Sequence, residues 1–518
     1  MRVLRTVALN AALVLFGLGQ PVRALDLAEA SLELGPLFAR AAKGEPAAEP
    51  LFNAMVAGDL NGDGRKEIVL PGSDGRLRLL RIAGPASRPA LVAWATVDTR
   101  VEGDQVAGAC YLTVAPLEKG AHPSLVVALP RGVFDVRIEG EPPRPQWVPL
   151  CDRTFFDPGQ ARSRPQRLDF LADLDGDGRP EVWMPQPEGI EFWRRKSDGA
   201  AWERVQTPPL AARARQSAGA VPARLSAVQP TAFSLGYNYS QSYPTFDLMD
   251  LDGDGRLEMV ALVRDSAVRP PLLRAECYAL RDSLHYSTAP LQTRVVQPEK
   301  GAQTLLDLNG DGFLDLLRVD SNLDFINPRT AVEAFLSPAE RDYRFDRASV
   351  RYTTHDPIGM VMYGDWNRDG AADLAYSQFE YTFGSTDDLV NLILGREIAV
   401  TLRFVFGSRS GYSPKADHDV RLQIRNRCFN PRLFPPLSMD GDFNGDGAAD
   451  LLVRARPERY DIYPSREGGR QIATRAAGSF SIESDGLCRL DDLDGDGCTD
   501  VVTFDREKPA ITVWLSRP

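Results

Sequence analysis

The sequence predicts an all-β protein assembled from about eight similar units, and three observations support this. A nine-residue acidic motif occurs seven times in the chain of 518 residues. The spacing between copies clusters near 57 residues, and the longest interval is twice that value. A short β-rich apolar run follows nearly every copy, whereas helical periodicity is scarce. Short strands repeated at roughly 50–60 residues are typical of the blades of a β-propeller.

The seven copies share their oxygen-bearing positions. Acidic or amide side chains stand at positions 1, 3, 5 and 9, and glycine always stands at position 6. Oxygens at alternate residues can converge on one point, and the glycine permits the sharp turn between them. The pattern suits a hard divalent cation, so we predict up to seven bound Ca²⁺ ions. The copies are DLNGDGRKE from Asp59, DLDGDGRPE from Asp173, DLDGDGRLE from Asp250, DLNGDGFLD from Asp307, DWNRDGAAD from Asp365, DFNGDGAAD from Asp442 and DLDGDGCTD from Asp492.

Two other interpretations of this motif can be tested on the sequence. An EF-hand needs a bidentate acid at position 12 and a helix on each side. An acidic turn that binds nothing would explain one copy, but not seven copies that all carry acids at positions 1, 5 and 9. The residues at position 12 exclude the EF-hand, since they are Leu70, Met184, Ala261, Arg318, Tyr376, Val453 and Thr503.

The intervals between loops predict the number of blades. Successive loops begin 114, 77, 57, 58, 77 and 50 residues apart, so a copy without ligands is expected between the first two. The segment Tyr111–Val136 fits, because Leu117 aligns with Leu60 and Leu125 aligns with Ile68. We therefore favour eight blades, with seven possible. Each blade is expected to be a four-stranded antiparallel sheet, with a calcium loop in seven of the repeats.

The strands within each repeat follow from apolar alternation. In the first repeat, Arg76–Ile82 and Leu91–Val97 follow the strand that leaves the loop. The last repeat offers Val501–Phe504 and Ile511–Leu515 and is then one strand short. The N-terminal segment Leu27–Ala42 would supply the missing outer strand and leave no open edge. The alternative for this segment is a helix rich in alanine and leucine.

Two of the longer intervals contain insertions, near residues 211–244 and 381–400. The first ends in YNYSQSY from Tyr237, and tyrosine, serine and asparagine are typical of recognition surfaces. A packed or mobile surface loop is the other interpretation. In the second insertion, Asp387–Ile398 is compatible with a short helix.

The N-terminus has the pattern of a secretory signal. Two arginines precede an apolar run over Thr6–Gly19, and Val22-Arg23-Ala24 suits a cleavage site. We predict a signal peptide over residues 1–24 and a single propeller domain over residues 25–518. The expected location is secreted or periplasmic, and an uncleaved anchor is the alternative. No later stretch is apolar enough to span a membrane.

Net charge limits the possible partners, and the cysteine content limits the possible disulfides. The formal net charge is −11, and the basic residues are scattered, so we expect no nucleic-acid partner. We expect a monomer. Of the six cysteines, Cys110 and Cys151 bracket one repeat and are the first choice for a disulfide. Buried free thiols are the alternative.

The motif D-x-[DN]-x-D-G-x-x-[DE] before an apolar strand resembles the FG-GAP/VCBS repeats of integrin-α-like propellers, over nearly all of the mature chain. The FG and GAP tripeptides are largely absent, one repeat has lost its loop, and integrins have seven units. The resemblance implies a structural calcium loop that joins two antiparallel strands within a blade. It also implies five ligands per loop, namely the side chains at positions 1, 3, 5 and 9 and the backbone carbonyl at position 7. These residues are Asp59, Asn61, Asp63, Arg65 and Glu67; Asp173, Asp175, Asp177, Arg179 and Glu181; Asp250, Asp252, Asp254, Arg256 and Glu258; Asp307, Asn309, Asp311, Phe313 and Asp315; Asp365, Asn367, Asp369, Ala371 and Asp373; Asp442, Asn444, Asp446, Ala448 and Asp450; and Asp492, Asp494, Asp496, Cys498 and Asp500.

Catalytic motifs are scarce in this sequence. The four histidines, His122, His285, His355 and His418, lie on separate repeats without metal-ligand spacing. Neither a G-x-S-x-G nor an H-E-x-x-H motif occurs. We therefore predict a binding or scaffold module for a protein or glycan. The alternative is a polysaccharide lyase, or another carbohydrate-active enzyme, on an eight-bladed calcium propeller.

Overall fold

The fold is that of a computed structural model of the chain. The residues described are 25–34, 37–38, 50–85, 87–99, 111–129, 131–152, 166–186, 189–196, 202–206, 213–222, 233–242, 245–265, 272–281, 284–296, 301–322, 329–355, 360–380, 397–429, 436–482, 487–505 and 509–517.

Within these residues, eight antiparallel sheets follow one another along the chain as the blades of a propeller. This confirms the prediction of an all-β, eight-bladed fold. Blades 1 to 4 comprise Val56–Gly58, Glu67–Pro71, Arg76–Ala83 and Ala90–Asp98; Tyr111–Pro116, Pro123–Leu129, Gly132–Glu139 and Arg144–Cys151; Leu171–Ala172, Glu181–Gln186, Gly189–Arg195 and Trp202–Gln206; and Thr245–Met249, Glu258–Asp265, Leu272–Tyr278 and Gln292–Val296. Blades 5 to 8 comprise Ala302–Leu306, Asp315–Asn322, Arg329–Phe335 and Val350–Thr354; Val361–Gly364, Asp373–Phe379, Glu397–Val405 and His418–Arg425; Leu437–Gly441, Asp450–Arg456, Arg459–Tyr463 and Gly478–Ser481; and Leu487–Asp491, Asp500–Asp505, Ala510–Arg517 and Asp26–Glu33.

A few short elements lie outside this pattern. Two blades gain a fifth strand in parallel pairing, Gln166–Arg167 on blade 2 and Asp342–Arg344 on blade 4. Among the described residues, short 3-10 helices span Phe52–Ala54 and Asn426–Phe429. No helix in the described ranges is both long and apolar enough to cross a membrane. Small two-stranded sheets form from Leu280–Arg281 with His285–Tyr286, and from Ser465–Arg466 with Gln471–Ile472.

The structure describes much of the first insertion and little of the second. In the first, Arg213–Pro222 pairs antiparallel with Phe233–Ser242, so the insertion contains two paired strands. In the second, residues 381–396 lie outside the described ranges, and the proposed helix over Asp387–Ile398 lies mostly among them. Glu397–Val405 is the third strand of blade 6.

The N-terminal strand closes the ring. Asp26–Glu33 pairs antiparallel with Ala510–Arg517 over its whole length and is the outer strand of blade 8. This confirms the predicted closure and replaces the helical alternative for these residues. Closure by the chain's own N-terminal segment pairs an edge that would otherwise be open to other chains.

The core lies between neighbouring blades. The apolar residue at position 2 of each loop packs in a cluster shared by its own blade and the next one, as Leu493 does between blades 8 and 1. Leu117, which aligns with Leu60 in the repeat without ligands, occupies the same kind of place between blades 2 and 3. The position-10 residue that follows each loop is also buried. Each loop is therefore anchored to the core on both sides.

Replacing Leu34 with alanine is expected to lower the free energy of unfolding by about 3 kcal/mol, because a buried Leu→Ala change leaves a cavity. Leu34 follows the closing strand, is fully buried, and lies in the cluster between blades 8 and 1. The same change at half-buried Leu32 should cost about 1 kcal/mol. Urea unfolding measures both, and a small effect at Leu34 would contradict closure by this segment.

Candidate metal centre

Seven acidic loops connect the first and second strands of their blades, as the sequence predicts. Since every blade has the same strand order, these loops share one face of the propeller. Blade 2 is the exception, because its corresponding turn over residues 117–122 lacks the acidic motif.

The acids at positions 1 and 5 shape the turn in the same way in every copy. The position-1 Oδ2 accepts a hydrogen bond from the backbone N–H of the position-6 glycine at 2.7–3.2 Å. The position-5 Oδ1 accepts one from the N–H of position 7, again at 2.7–3.2 Å. These local bonds curl the chain around its own carboxylates and bring the side-chain oxygens to one side.

The acid at position 9 ties the loop to the blade. In all seven copies it accepts a hydrogen bond from the backbone N–H of position 2 at 2.8–3.1 Å. The four aspartates also accept a second backbone N–H with Oδ1, from the chain at or just beyond the third strand. The donors are Ser337 to Asp315, Gly407 to Asp373, Ser465 to Asp450 and Ser516 to Asp500.

Burial perturbs these position-9 acids strongly. All seven side chains are at most 5% exposed. Burial raises the pKa of Glu181 to about 8 and that of Asp373 to about 6. It raises the pKa of the other five, from Glu67 to Asp500, to about 7. A nearby cation would favour the ionised form of such a carboxylate.

Three of the loops bring acidic oxygens close enough to hold a metal ion. In each, one oxygen from each of three carboxylates lies within 4.8 Å of the others. The groups are Asp173, Asp175 and Glu181; Asp250, Asp252 and Asp254; and Asp492, Asp494 and Asp500.

Unpartnered oxygens provide an independent test of the fit to a cation. Oδ1 of Asp173, of Asn309 and of Asp494 is buried and has no hydrogen-bond partner in the described part of the chain. These atoms stand at positions 1, 3 and 3 of their loops. A buried oxygen without a partner is costly, and a coordinated ion would supply the missing interaction. The residues therefore fit a metal, while ligation by the position-7 carbonyls stays a prediction.

Cationic side chains reach some loop acids. Arg517 Nη1 lies 2.6 Å from Asp494 Oδ2 and 3.0 Å from Asp496 Oδ2. Arg470 Nη2 lies 3.2 Å from Asp369 Oδ2. These guanidinium groups offset part of the repulsion among the carboxylates in the loops of blades 8 and 6. We number each loop after its blade, so these are loops 8 and 6.

The loops also contact one another around the ring, which the sequence did not reveal. In four blades the N–H of position 8 donates to the position-2 carbonyl of the preceding loop, as Lys66 does to Leu493 at 2.7 Å and Leu257 does to Leu174 at 2.9 Å. In blade 8, Thr499 donates instead to the position-1 carbonyl of Asp442 at 2.7 Å. Between blades 4 and 5, the acceptor for the position-8 N–H is a side chain: Leu314 donates to Gln292 Oε1 at 3.0 Å. Each loop thus helps to fix its neighbour.

The turn of blade 2 contacts the neighbouring blades on both sides through polar side chains. Arg195 Nη1 of blade 3 lies 2.5 Å from Glu118 Oε1. The aliphatic part of Lys119 covers Gly178 in loop 3, and the ring of His122 covers Gly62 in loop 1. Where the acidic loop is missing, these three side chains continue the contact from blade to blade.

Position 4 of each loop requires a left-handed backbone conformation, a feature that we did not predict from the sequence. It adopts positive φ in every loop, from 56° to 78°, and is glycine in six copies. The exception is Arg368, at φ 56°. Three of the position-4 glycines, Gly176, Gly310 and Gly495, also lie against a backbone carbonyl of the next loop, and a Cβ on Gly495 would lie 2.5 Å from the carbonyl oxygen of Gly64.

This contact predicts a difference between two equivalent glycines. Gly495→Ala should cost about 2 kcal/mol more than Gly253→Ala, because only the first Cβ meets a backbone atom. Both positions have similar positive φ, 73° and 76°, so the backbone strain cancels in the comparison. Urea unfolding of the two variants measures the difference. Equal costs would show that the loops do not support one another.

The cysteines behave as buried thiols where they are described. Cys277, Cys428, Cys488 and Cys498 are free and buried. Burial raises the pKa of Cys277, Cys488 and Cys498 to about 12. The predicted Cys110–Cys151 disulfide involves Cys110, which lies outside the described residues.

Comparisons with known proteins find distant structural similarity. No protein-family model and no curated protein matches the chain. A solved lectin of Agrocybe aegerita, described as recognising non-reducing terminal N-acetylglucosamine, is 13% identical with a TM-score of 0.36 over 92% of this chain and 88% of its own. BBS1N, solved in complex with ARL6DN, is 11% identical with a TM-score of 0.31 over 95% and 98%. Sqt1 of Saccharomyces cerevisiae is 11% identical with a TM-score of 0.35 over 87% and 93%.

These TM-scores are too low for any argument about ligand or activity. The FG-GAP/VCBS assignment therefore stays a prediction from the motif, and the propeller architecture is the part that is confirmed.

Proposed function

We propose that this chain is an exported, calcium-stabilised propeller of the FG-GAP/VCBS type that acts as a binding or scaffold module for a protein or glycan. The observation that carries the proposal is the common geometry of seven acidic loops, each with a buried acid at position 9. Seven copies with the same hydrogen bonds favour a shared structural role over seven separate functions.

Calcium would be held by the side-chain oxygens at positions 1, 3, 5 and 9 and by the carbonyl at position 7. The ion would supply positive charge among carboxylates that otherwise repel one another, and it would stabilise the folded state by binding to it alone. The chain's own contribution is to hold the loop closed through the position-9 acid. It also buries the residue at position 2 between two blades.

Calcium content tests the metal part of this proposal. Purified protein, dialysed against calcium and then against metal-free buffer, should retain several calcium ions per chain by atomic emission and approach seven when calcium is in excess. The variant Asp254→Ala should hold one ion fewer. Asp247→Ala, which changes a nearby acid outside the loop, should leave the content unchanged. A chain that retains no calcium would contradict the proposal.

Export and binding need separate measurements. Residues 1–24 fused to alkaline phosphatase should give phosphatase activity in the bacterial periplasm, and a fusion starting at residue 25 should not. A glycan array and a protein array, each probed in calcium and in EDTA, should show calcium-dependent binding. Signals that are identical in the two buffers would contradict a role for the ions in presenting the binding surface.

A further inference from the structure

A cavity of about 450 Å³ lies beside the turn of blade 2 that lacks the acidic loop. Its wall comes mainly from blade 2, with Leu60 from blade 1 and with Arg195 and Trp202 from blade 3. Its lining includes none of the candidate metal ligands in the described ranges. Small-molecule sites usually have volumes of roughly 300–1,000 Å³, so this cavity is large enough for a compact ligand.

Four of the polar side chains that line the cavity form two ion pairs, and His122 and Ser124 line it as well. Arg137 Nε donates to Asp135 Oδ2 at 2.8 Å. Arg195 Nη1 donates to Glu118 Oε1 at 2.5 Å. Because each charge has an opposite charge beside it, the wall does not favour a strongly charged ligand. It offers fixed donors next to fixed acceptors, the combination that hydroxyl groups can use in both directions.

Asp135 has unused hydrogen-bonding capacity. This residue is 1% exposed, and its Oδ1 has no hydrogen-bond partner in the described part of the chain. A buried carboxylate oxygen without a donor costs about 1–3 kcal/mol, so a ligand hydroxyl that reached Oδ1 from the cavity would be stabilising. Asp135 lies on a strand of blade 2 and lines the cavity.

The cavity also contains an aromatic surface. Trp202 is half-buried and lines the wall together with apolar side chains such as Leu117 and Leu150. An indole combines a flat apolar face with a polar N–H, which suits a ligand that has both apolar C–H faces and hydroxyl groups.

We propose that this cavity binds a neutral carbohydrate of one or two rings. The proposal rests on the binding function proposed above and assigns it a site and a ligand class. The sugar ring would lie against Trp202. Its hydroxyl groups would bond to the Asp135–Arg137 and Glu118–Arg195 pairs.

Intrinsic tryptophan fluorescence and saturation-transfer NMR test this with the calcium-loaded full chain. The probes are glucose, galactose, mannose, lactose and cellobiose, each titrated to about 10 mM, with glucuronate as the charged comparison. The variants are Arg137→Gln and Trp202→Leu. The matched control is Arg194→Gln, because Arg194 pairs with Glu203 at 2.9 Å but does not line the cavity. The Arg137 side chain is 54% exposed, so its variant should fold even if the Trp202 variant does not.

We expect at least one neutral sugar to bind, with affinity about tenfold lower in Arg137→Gln and unchanged in Arg194→Gln. Sugar binding that is equal in all variants would overturn the cavity site and leave the proposed binding function standing at another surface. A calcium-loaded chain that binds none of the sugars would likewise overturn only the cavity site. Tighter binding of glucuronate than of glucose would overturn the neutral ligand class.

Discussion

Removal of calcium with EDTA is expected to lower the melting temperature by about 10 °C or more, the largest effect that we predict. A ligand that binds only the folded state contributes about 2.7 kcal/mol per site when its free concentration is a hundredfold above the dissociation constant. Seven loops would add such contributions, and the buried position-9 acids would lose their compensating charge when the ion leaves. Differential scanning calorimetry in excess calcium and in excess EDTA measures the shift.

The control for this experiment is the return of calcium. Adding calcium in excess of the EDTA should restore the original melting curve, which separates loss of the ion from other effects of the chelator. Magnesium should restore less, because it demands near-octahedral geometry at shorter ligand distances than a loop of this kind provides. A melting curve that EDTA does not change would refute calcium as a structural ligand.

Much of the fold could be predicted because the motif marks one fixed place in every blade. The loop always joins the first two strands, so its repetition gives the number of blades and the position of the strand that follows. The interval of 114 residues revealed blade 2, since it is twice the usual spacing of about 57 residues. The last repeat lacked its fourth strand, and this predicted the closure by Asp26–Glu33.

The contacts that complete each loop could not be predicted, because their spacing in the sequence varies. Ser465 is 15 residues from Asp450, whereas Gly407 is 34 residues from Asp373, although both donate the same kind of hydrogen bond. The length of the hairpin between the second and third strands sets this spacing. A periodic motif carries no information about that length.

Contacts between blades could not be predicted from the motif either. The approach of Gly495 to Gly64 joins the last loop to the first, which are the most distant in sequence and adjacent only after the ring has closed. The cavity of blade 2 likewise depends on side chains from three blades. By contrast, the positive φ at position 4 could have been predicted from the six glycines there.

The second large effect concerns position 9, where we expect Asp450→Ala to lower the free energy of unfolding by about 4 kcal/mol in EDTA. Asp450 is fully buried and accepts backbone N–H groups from Phe443 at 2.8 Å and from Ser465 at 2.7 Å. The variant would leave both donors without an acceptor inside the protein. Each buried donor left without an acceptor costs about 1–3 kcal/mol, and both donors belong to the chain itself, so this cost is present without the ion.

Asp446→Ala in the same loop is the matched control, because Asp446 is exposed and stands at position 5. In EDTA it should cost less than about 1 kcal/mol, as exposed substitutions usually do. In calcium it should cost about 2–3 kcal/mol more, since one ligand of the ion is lost. Urea unfolding of both variants in both buffers separates the two roles. If the variants are equally stable in EDTA, the position-9 acid serves only as a ligand, and its hydrogen bonds do not hold the loop in place.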